Sequence, residues 1–218
     1  MIDGDDEPQT HPEPPARRAV FIGLDSALLE RSRPNGDALR LARGAPDALS
    51  ALQRGGFALV VVTHESGLAL GYVSRSELTL LEVLLRRLLR AEAGVDLTDF
   101  MVCPHRPGTN GGPGCLCRAP APGLLIRAAR AHRLELAASW MVGDSLDDIE
   151  AGRRGGCRTA LLREHDAEAP QRLSPLRLPH CRCSAWDQVA HELLAPHRGD
   201  AAARHSGAHA EPRNAGFG

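Results

Sequence analysis

The chain has 218 residues, with 26 Lys+Arg against 27 Asp+Glu and a formal net charge of -1, which removes the electrostatic case for a nucleic-acid or membrane-surface protein. Every basic residue is Arg and none is Lys, so Schiff-base and lysine-nucleophile chemistry are excluded. No run of about 20 apolar residues exists to span a bilayer, and residues 1–18 lack the basic start and apolar stretch of a signal peptide; the six Cys are therefore expected reduced in a cytoplasmic setting, where they favour metal over disulfides.

Residues 1–18 are acidic, carry four Pro and show no apolar periodicity, so they read as a disordered tail. Residues 198–218, rich in Ala, Gly, His and Arg, read the same way. The folded unit is expected over 19–197. In it Ala19–Leu24 is a buried strand. Ala45–Gly55 is a helix with Pro46 near its start and glycines closing it. Phe57–Val62 is apolar on both faces, as strands of covered parallel sheets are. Ser76–Ala93 is a Leu-rich helix, with Ser76 as its cap. Phe100–Val102 is a third strand, Pro122–His132 a helix, Ser139–Val142 a fourth strand, Asp147–Gly155 a helix, Thr159–Leu162 a fifth strand and Ala185–Leu194 a final helix. The alternation predicts an α/β doubly wound parallel sheet with its site at the carboxyl ends of the strands.

Three of those ends carry polar residues: Gly23-Leu24-Asp25, Thr63-His64-Glu65-Ser66 and Gly143-Asp144-Ser145, with Asp147 and Asp148 following. Carboxylates suit a hard divalent cation. A hydroxyl beside a helix start suits phosphate. Asp144 and Asp148 are four residues apart and can face one crevice, whereas Asp147 reads equally well as a helix-start acid.

A second constellation is made of soft ligands. Cys103 and His105 precede a Gly/Pro loop, and Cys115 and Cys117 follow it. Three thiolates and an imidazole suit tetrahedral zinc. A polar loop with no apolar residues of its own would be organised by the metal. The ligands fill the coordination shell, so the site is expected to be structural. In His180-Cys181-Arg182-Cys183 the two cysteines read as free thiols, and Cys157 as a small buried residue.

These stretches resemble the haloacid-dehalogenase (HAD) superfamily of phosphatases, within it the histidinol-phosphate and heptose-bisphosphate phosphatase branch. FALVVVTHESGLALGY (residues 57–72) is similar to that branch's VVVTNQSGIARGY. CPHRPGTNGGPGCLCRAPAPG (residues 103–123) has its Cys-x-His and Cys-x-Cys pairs, and MVGDSLDDIEAGRRGG (residues 141–156) its VGDxxxD. The resemblance implies a HAD-like sheet with an inserted zinc loop. It also implies a sugar-phosphate ligand and a magnesium site.

In the family the first motif resembles F-L-D-x-D-G-T. Its first Asp attacks phosphorus and binds magnesium, and its second is the acid/base. Here the nucleophile position is Gly23 and the acid/base position is Asp25. Thr63 matches the phosphate-holding hydroxyl, with His64 and Glu65 in place of Asn-Gln. Arg118 is retained beside the phosphate site, but the family's lysine is Ala119. Asp144 and Asp148 match the magnesium acids, to which Asp25 would add. With Gly23 no aspartyl-phosphate can form there, and magnesium binding is expected weak or lost. Direct attack by Asp25 is the alternative. The expectation is therefore a phosphate-ligand-binding or regulatory pseudophosphatase; an active phosphatase with another nucleophile, or a structural subunit of a carbohydrate-pathway complex, are the competing readings. The last leaves room for a protein partner.

Overall fold

The computed structural model describes residues 16–30, 39–108, 114–163 and 174–196. The tails expected at 1–18 and 198–218 lie outside these, apart from 16–18. Arg17 already belongs to the fold: its N–H donates to Arg133 O (3.1 Å) and its carbonyl accepts from Glu135 N (2.9 Å).

Six parallel strands form one sheet in the order β3-β2-β1-β4-β5-β6. They are β1 (Ala19–Gly23), β2 (Ala58–His64), β3 (Asp99–Cys103), β4 (Trp140–Gly143), β5 (Arg158–Leu162) and β6 (Cys181–Cys183). The helices are α1 (Ala45–Arg54), α2 (Ser66–Leu70), α3 (Arg75–Ala93), α4 (Gly123–His132), α5 (Leu146–Arg154) and α6 (Trp186–Leu194). A single π-helical turn, Leu24–Leu28, follows β1.

Strand side chains alternate between two cores, as the two-residue period requires. Val20, Ile22, Leu59, Val61, Trp140 and Val142 pack with residues of α1, α3 and α6 on one face. Phe21, Val60, Val62 and Met141 face the other, with Leu124, Leu125 and Ala128 of α4. Helix α5 lies on this second face, because Gly152 is where it meets Met141 and Thr159; a Cβ there would come within 2.6 Å of both side chains.

Two expectations change. The Leu-rich helix starts at Arg75, capped by Ser74 rather than Ser76: Ser74 Oγ accepts from Glu77 N (3.2 Å) and Glu77 Oε2 accepts from Ser74 N (2.7 Å). That reciprocal pair satisfies two amides that Ser76, inside the first turn, could not. The sheet also has a sixth strand, Cys181–Cys183. Cys-Arg-Cys is too short and too polar to show in a pattern, and its pairing with β5 creates it.

The chain order reverses between β1 and β4. In such sheets the crevice outside the carboxyl ends at the reversal is the binding position. Gly23, Thr63 and Asp144 all stand there.

Candidate functional site

The crevice is assembled by three short links. On β1, Gly23 pairs with Val62 of β2, and the chain then turns into the π-helical turn that carries Asp25. Asp25 therefore lies beyond the strand, exposed at the mouth. Trp186 of α6 anchors this turn by donating from Nε1 to Ala27 O (2.8 Å).

On β2, Thr63 and His64 are the last two residues, and Glu65 then caps α2 by accepting from Gly67 N (2.7 Å). On β4, Gly143 is followed by Asp144 and by Ser145, which caps α5. Ser145 Oγ accepts from Asp148 N (3.0 Å) and donates to Asp148 Oδ2 (2.7 Å). Gly143 allows this: a Cβ at that position would stand 2.4–2.7 Å from three atoms of the Asp148 side chain.

The electrostatics follow from burial. Desolvation, opposed by Ser145 and reinforced by Asp144, pushes the Asp148 carboxyl up to about 6. Desolvation also raises Asp25, against the lowering effect of His64 and of a hydrogen bond from Thr63. His64 is lowered, first by desolvation and then by the Arg118 guanidinium, so it is neutral at pH 7. Arg118 is 8% exposed. Its Nη2 donates to Ser66 Oγ (2.6 Å) and His105 O (2.8 Å). Its Nε is, among the described residues, the buried side-chain polar atom without a partner.

Asp147 does not join the crevice. Arg177, from the turn Pro175–Arg177, donates to Asp147 Oδ1 (2.6 Å) and Glu150 Oε2 (2.8 Å). It thereby ties the segment after β5 to the outside of α5.

Cys103, His105, Cys115 and Cys117 do come together, with ligand atoms all within 4.8 Å of one another. The Sγ–Sγ separations are 3.5 Å (Cys103–Cys115), 3.4 Å (Cys115–Cys117) and 3.2 Å (Cys103–Cys117). His105 Nδ1 is 3.1 Å from Cys117 Sγ and 3.7 Å from Cys103 Sγ. Bonds of about 2.3 Å to sulfur place tetrahedral ligands slightly farther apart than this, so the donor set fits such an ion after a small expansion.

Burial alone would raise the Cys115 thiol, but hydrogen bonds from Cys117, Cys103 and the Arg118 N–H bring it down to about 7. The hairpin sits against α4 because Gly123 has no side chain: its N–H donates to Leu116 O (2.9 Å), and a Cβ there would lie 2.2 Å from that oxygen. Cys181 and Cys183 share β6, away from this cluster, and Cys157 is buried.

Among the described residues this is the single group of three or more His, Cys, Asp or Glu so closely gathered. The side chains of Asp25, Asp144 and Asp148 do not form a second such group.

Known proteins share both this sequence and this fold. At 33% identity over 150 residues, 67% of this chain aligns with 82% of a D-glycero-beta-D-manno-heptose-1,7-bisphosphate 7-phosphatase of Haemophilus ducreyi. The chain belongs to the HAD-like hydrolases. A HAD-hydrolase-like family model matches residues 116–180. The Pseudomonas putida heptose-bisphosphate phosphatase is 35% identical over 125 residues, 57% of this chain and 69% of that one. The solved D,D-heptose 1,7-bisphosphate phosphatase from B. bronchiseptica, complexed with magnesium and phosphate, superimposes with a TM-score of 0.66 at 27% identity. That match covers 81% of this chain and 98% of the other.

The HAD-like sheet expected from the sequence is thus the sheet observed. No helix among the described residues is long and apolar enough to cross a membrane. The sequence places Ser66, Gly143 and Ser145 at the strand ends but assigns them no role. Ser145 had a signal for its role, the Ser-x-x-Asp spacing of a helix start. Ser66 and Gly143 had none, because their roles depend on Arg118 and Asp148 arriving from elsewhere.

Proposed function

We propose that this HAD-like protein binds a sugar phosphate in the strand-end crevice and hydrolyses it slowly or not at all. The observation that carries this is Gly23. It ends the central strand with φ -61° and ψ 129°, an extended backbone that any residue could adopt, yet it offers no side chain to attack phosphorus.

The binding parts remain. Thr63 has its hydroxyl at the tip of β2, and Arg118 has a buried, unpartnered Nε–H, a donor whose satisfaction by an anion recovers a desolvation cost of about 1–3 kcal/mol. Asp25, raised by its surroundings, suits a group that gives a proton to a leaving oxygen. Positioning and an acid without an attacking group leave most of the barrier in place. Loss of a nucleophile costs on the order of a millionfold in serine proteases. Ala119 adds no charge to offset that of the transferred group. Relatives named as heptose-bisphosphate phosphatases support a sugar phosphate as the ligand class.

The Cys103, His105, Cys115 and Cys117 cluster would hold a zinc ion. Zinc supplies a fixed tetrahedral crosslink rather than a reactive position. It would pin the hairpin that carries Arg118 to β3. Arg118 itself reinforces this by donating to His105 O.

The test is phosphate release from a panel of sugar phosphates by the wild type and by a Gly23→Asp, Ala119→Lys double variant, with ligand binding measured alongside. Binding in both, with release only by the double variant, is the expected result. Wild-type turnover of about one per second or more, within the ordinary enzyme range, would refute it.

A further inference from the structure

At the end of the sheet away from the crevice, His180 stands just before β6, between Thr159 near the start of β5 and Arg153 on α5. The Thr159 N–H donates to His180 Nδ1 (3.0 Å), and the Thr159 hydroxyl lies 3.1 Å from the same nitrogen. The amide hydrogen is fixed by the backbone, so Nδ1 must carry the lone pair. A neutral imidazole then has its proton on Nε2. Yet Arg153 Nη1, which can only donate, stands 2.8 Å from that Nε2. Two N–H groups thus converge with no acceptor between them. Moving the proton to Nδ1 would satisfy Arg153 only by setting Nδ1–H against the Thr159 amide.

The charge around this pair has one sign. The Arg158 guanidinium lies over the Trp140 ring, 4.4 Å from its centre, and that ring meets His180 edge-on at 6.3 Å. Stacking holds the guanidinium near the imidazole. Burial first, then Arg153 and Arg158, lower the proton affinity of His180, and no carboxylate is among the causes. The acids of α5 on this flank are occupied: Glu150 by Arg154 and Arg177, Asp147 by Arg177. Glu192 of α6 acts instead on Cys181, whose side chain points to the opposite face of β6 from that of His180.

We propose that Arg153, His180 and Arg158 form an anion site, separate from the crevice, for a phosphate dianion, free or as the head of a monoester. An oxygen admitted between Arg153 Nη1 and His180 Nε2 accepts from both, which turns two opposed donors into two charge-assisted hydrogen bonds. Two arginines without a counter-acid suit a dianion better than a single carboxylate. The strands are parallel, and β4 pairs with β5 from Trp140–Arg158 at its start to Gly143–Leu161 at its end. The site therefore lies three residues, or about 10 Å of strand, from the crevice, and it does not depend on what the crevice binds.

The experiment titrates inorganic phosphate into the nitrogen-labelled full chain at pH 8. It follows the ring nitrogens of His180 and the amides of Arg153, Thr159 and His180, with the amides of Thr63 and Asp148 reporting the crevice separately. Before phosphate is added, the His180 ring should be the Nε2–H tautomer; an Nδ1–H ring overturns the proposal. With phosphate, the His180 and Thr159 signals should shift saturably. Their Kd should weaken by about tenfold or more in Arg153→Gln, the worth of one hydrogen bond to a charged group, and acetate should bind the wild type more weakly by a similar factor.

Shifts that do not saturate, that saturate alike in Arg153→Gln, or that acetate produces as readily as phosphate, overturn the site. Glucose 6-phosphate distinguishes the two sources: equal binding assigns the site to monoester heads as well, and binding of inorganic phosphate alone assigns it to the free anion, and either sustains it. If Thr63 and Asp148 do not respond, the phosphate reading of the crevice fails while His180 still decides this one. If Arg153→Gln fails to fold, the wild-type tautomer and the phosphate-to-acetate ratio decide in its place.

Discussion

Replacing Gly23 by Asp probes the geometry of the crevice through stability rather than activity. A Cβ at Gly23 meets nothing closer than Asp148 Oδ2 at 3.7 Å, with Gly143 Cα and Val142 O at 3.8 Å. The backbone there is extended. Gly23→Asn should therefore be tolerated within about 0.5 kcal/mol, or be mildly stabilising through the unfolded chain.

Gly23→Asp introduces a charge instead. Its oxygens lie roughly 2.4 Å beyond its own Cβ, which brings two carboxylates to about 4 Å. At an effective dielectric of about 20, like charges at that distance repel by about 4 kcal/mol. Relaxation reduces this, so the expected loss is about 2–4 kcal/mol at pH 8, or roughly 5–15 °C in Tm for a chain of this size. Urea denaturation of wild type, Gly23→Asn and Gly23→Asp in chelator, and again with millimolar magnesium, is the assay. A divalent cation bridging the two carboxylates should restore most of the loss. An Asn variant as unstable as Asp would show that shape, not charge, is responsible. An Asp variant as stable as wild type in chelator would refute the placement of Asp148 beside β1.

Three further outcomes are expected. Asp148→Asn should stabilise the metal-free protein by about 1–3 kcal/mol at pH 8. The folded pKa of about 6 lies above the ordinary value of 3.8, so the ionised carboxylate works against folding above pH 6, and the gain should fade as pH falls from 6 to 3.8; a pH-independent gain would contradict this. Zinc analysis should return about one equivalent for the wild type and almost none for a Cys115→Ala, Cys117→Ala variant, with a loss of several kcal/mol of stability; full zinc and unchanged urea midpoint in the variant would rule out the cluster. Burial would raise Glu150, but Arg154 and Arg177 hold it below the usual glutamate range. Its contribution should therefore be complete above that range and disappear in acid, as pH falls through the folded value. Glu150→Gln should cost about 1–3 kcal/mol at pH 7 and progressively less in acid; a constant difference would show that the ion pairs do not matter.

Local patterns were sufficient for the parts of this protein that are local. The unbroken β-branched run at 57–62 can satisfy its side chains only when both faces are covered, so β2 and a parallel sheet follow from it. The Cys-x-His and Cys-x-Cys pairs announce their cluster because ligands two residues apart are already close before the chain folds. Gly23 and Ala119 stand out within motifs for the same reason.

Other features exist only through contacts distant in sequence. Strand β6 is three residues long and is defined by β5. Asp147 and Asp148 are neighbours, yet one is held outside by Arg177, thirty residues on, and the other is turned inward over Gly143. Arg118 became a buried donor with an unpartnered Nε because its guanidinium reaches Ser66, fifty-two residues away. Burial, and with it the raised carboxyls and the neutral His64, is a property of what surrounds a group in space. A one-dimensional pattern carries the identity of each group, but the desolvation that sets its charge comes only with the closed crevice.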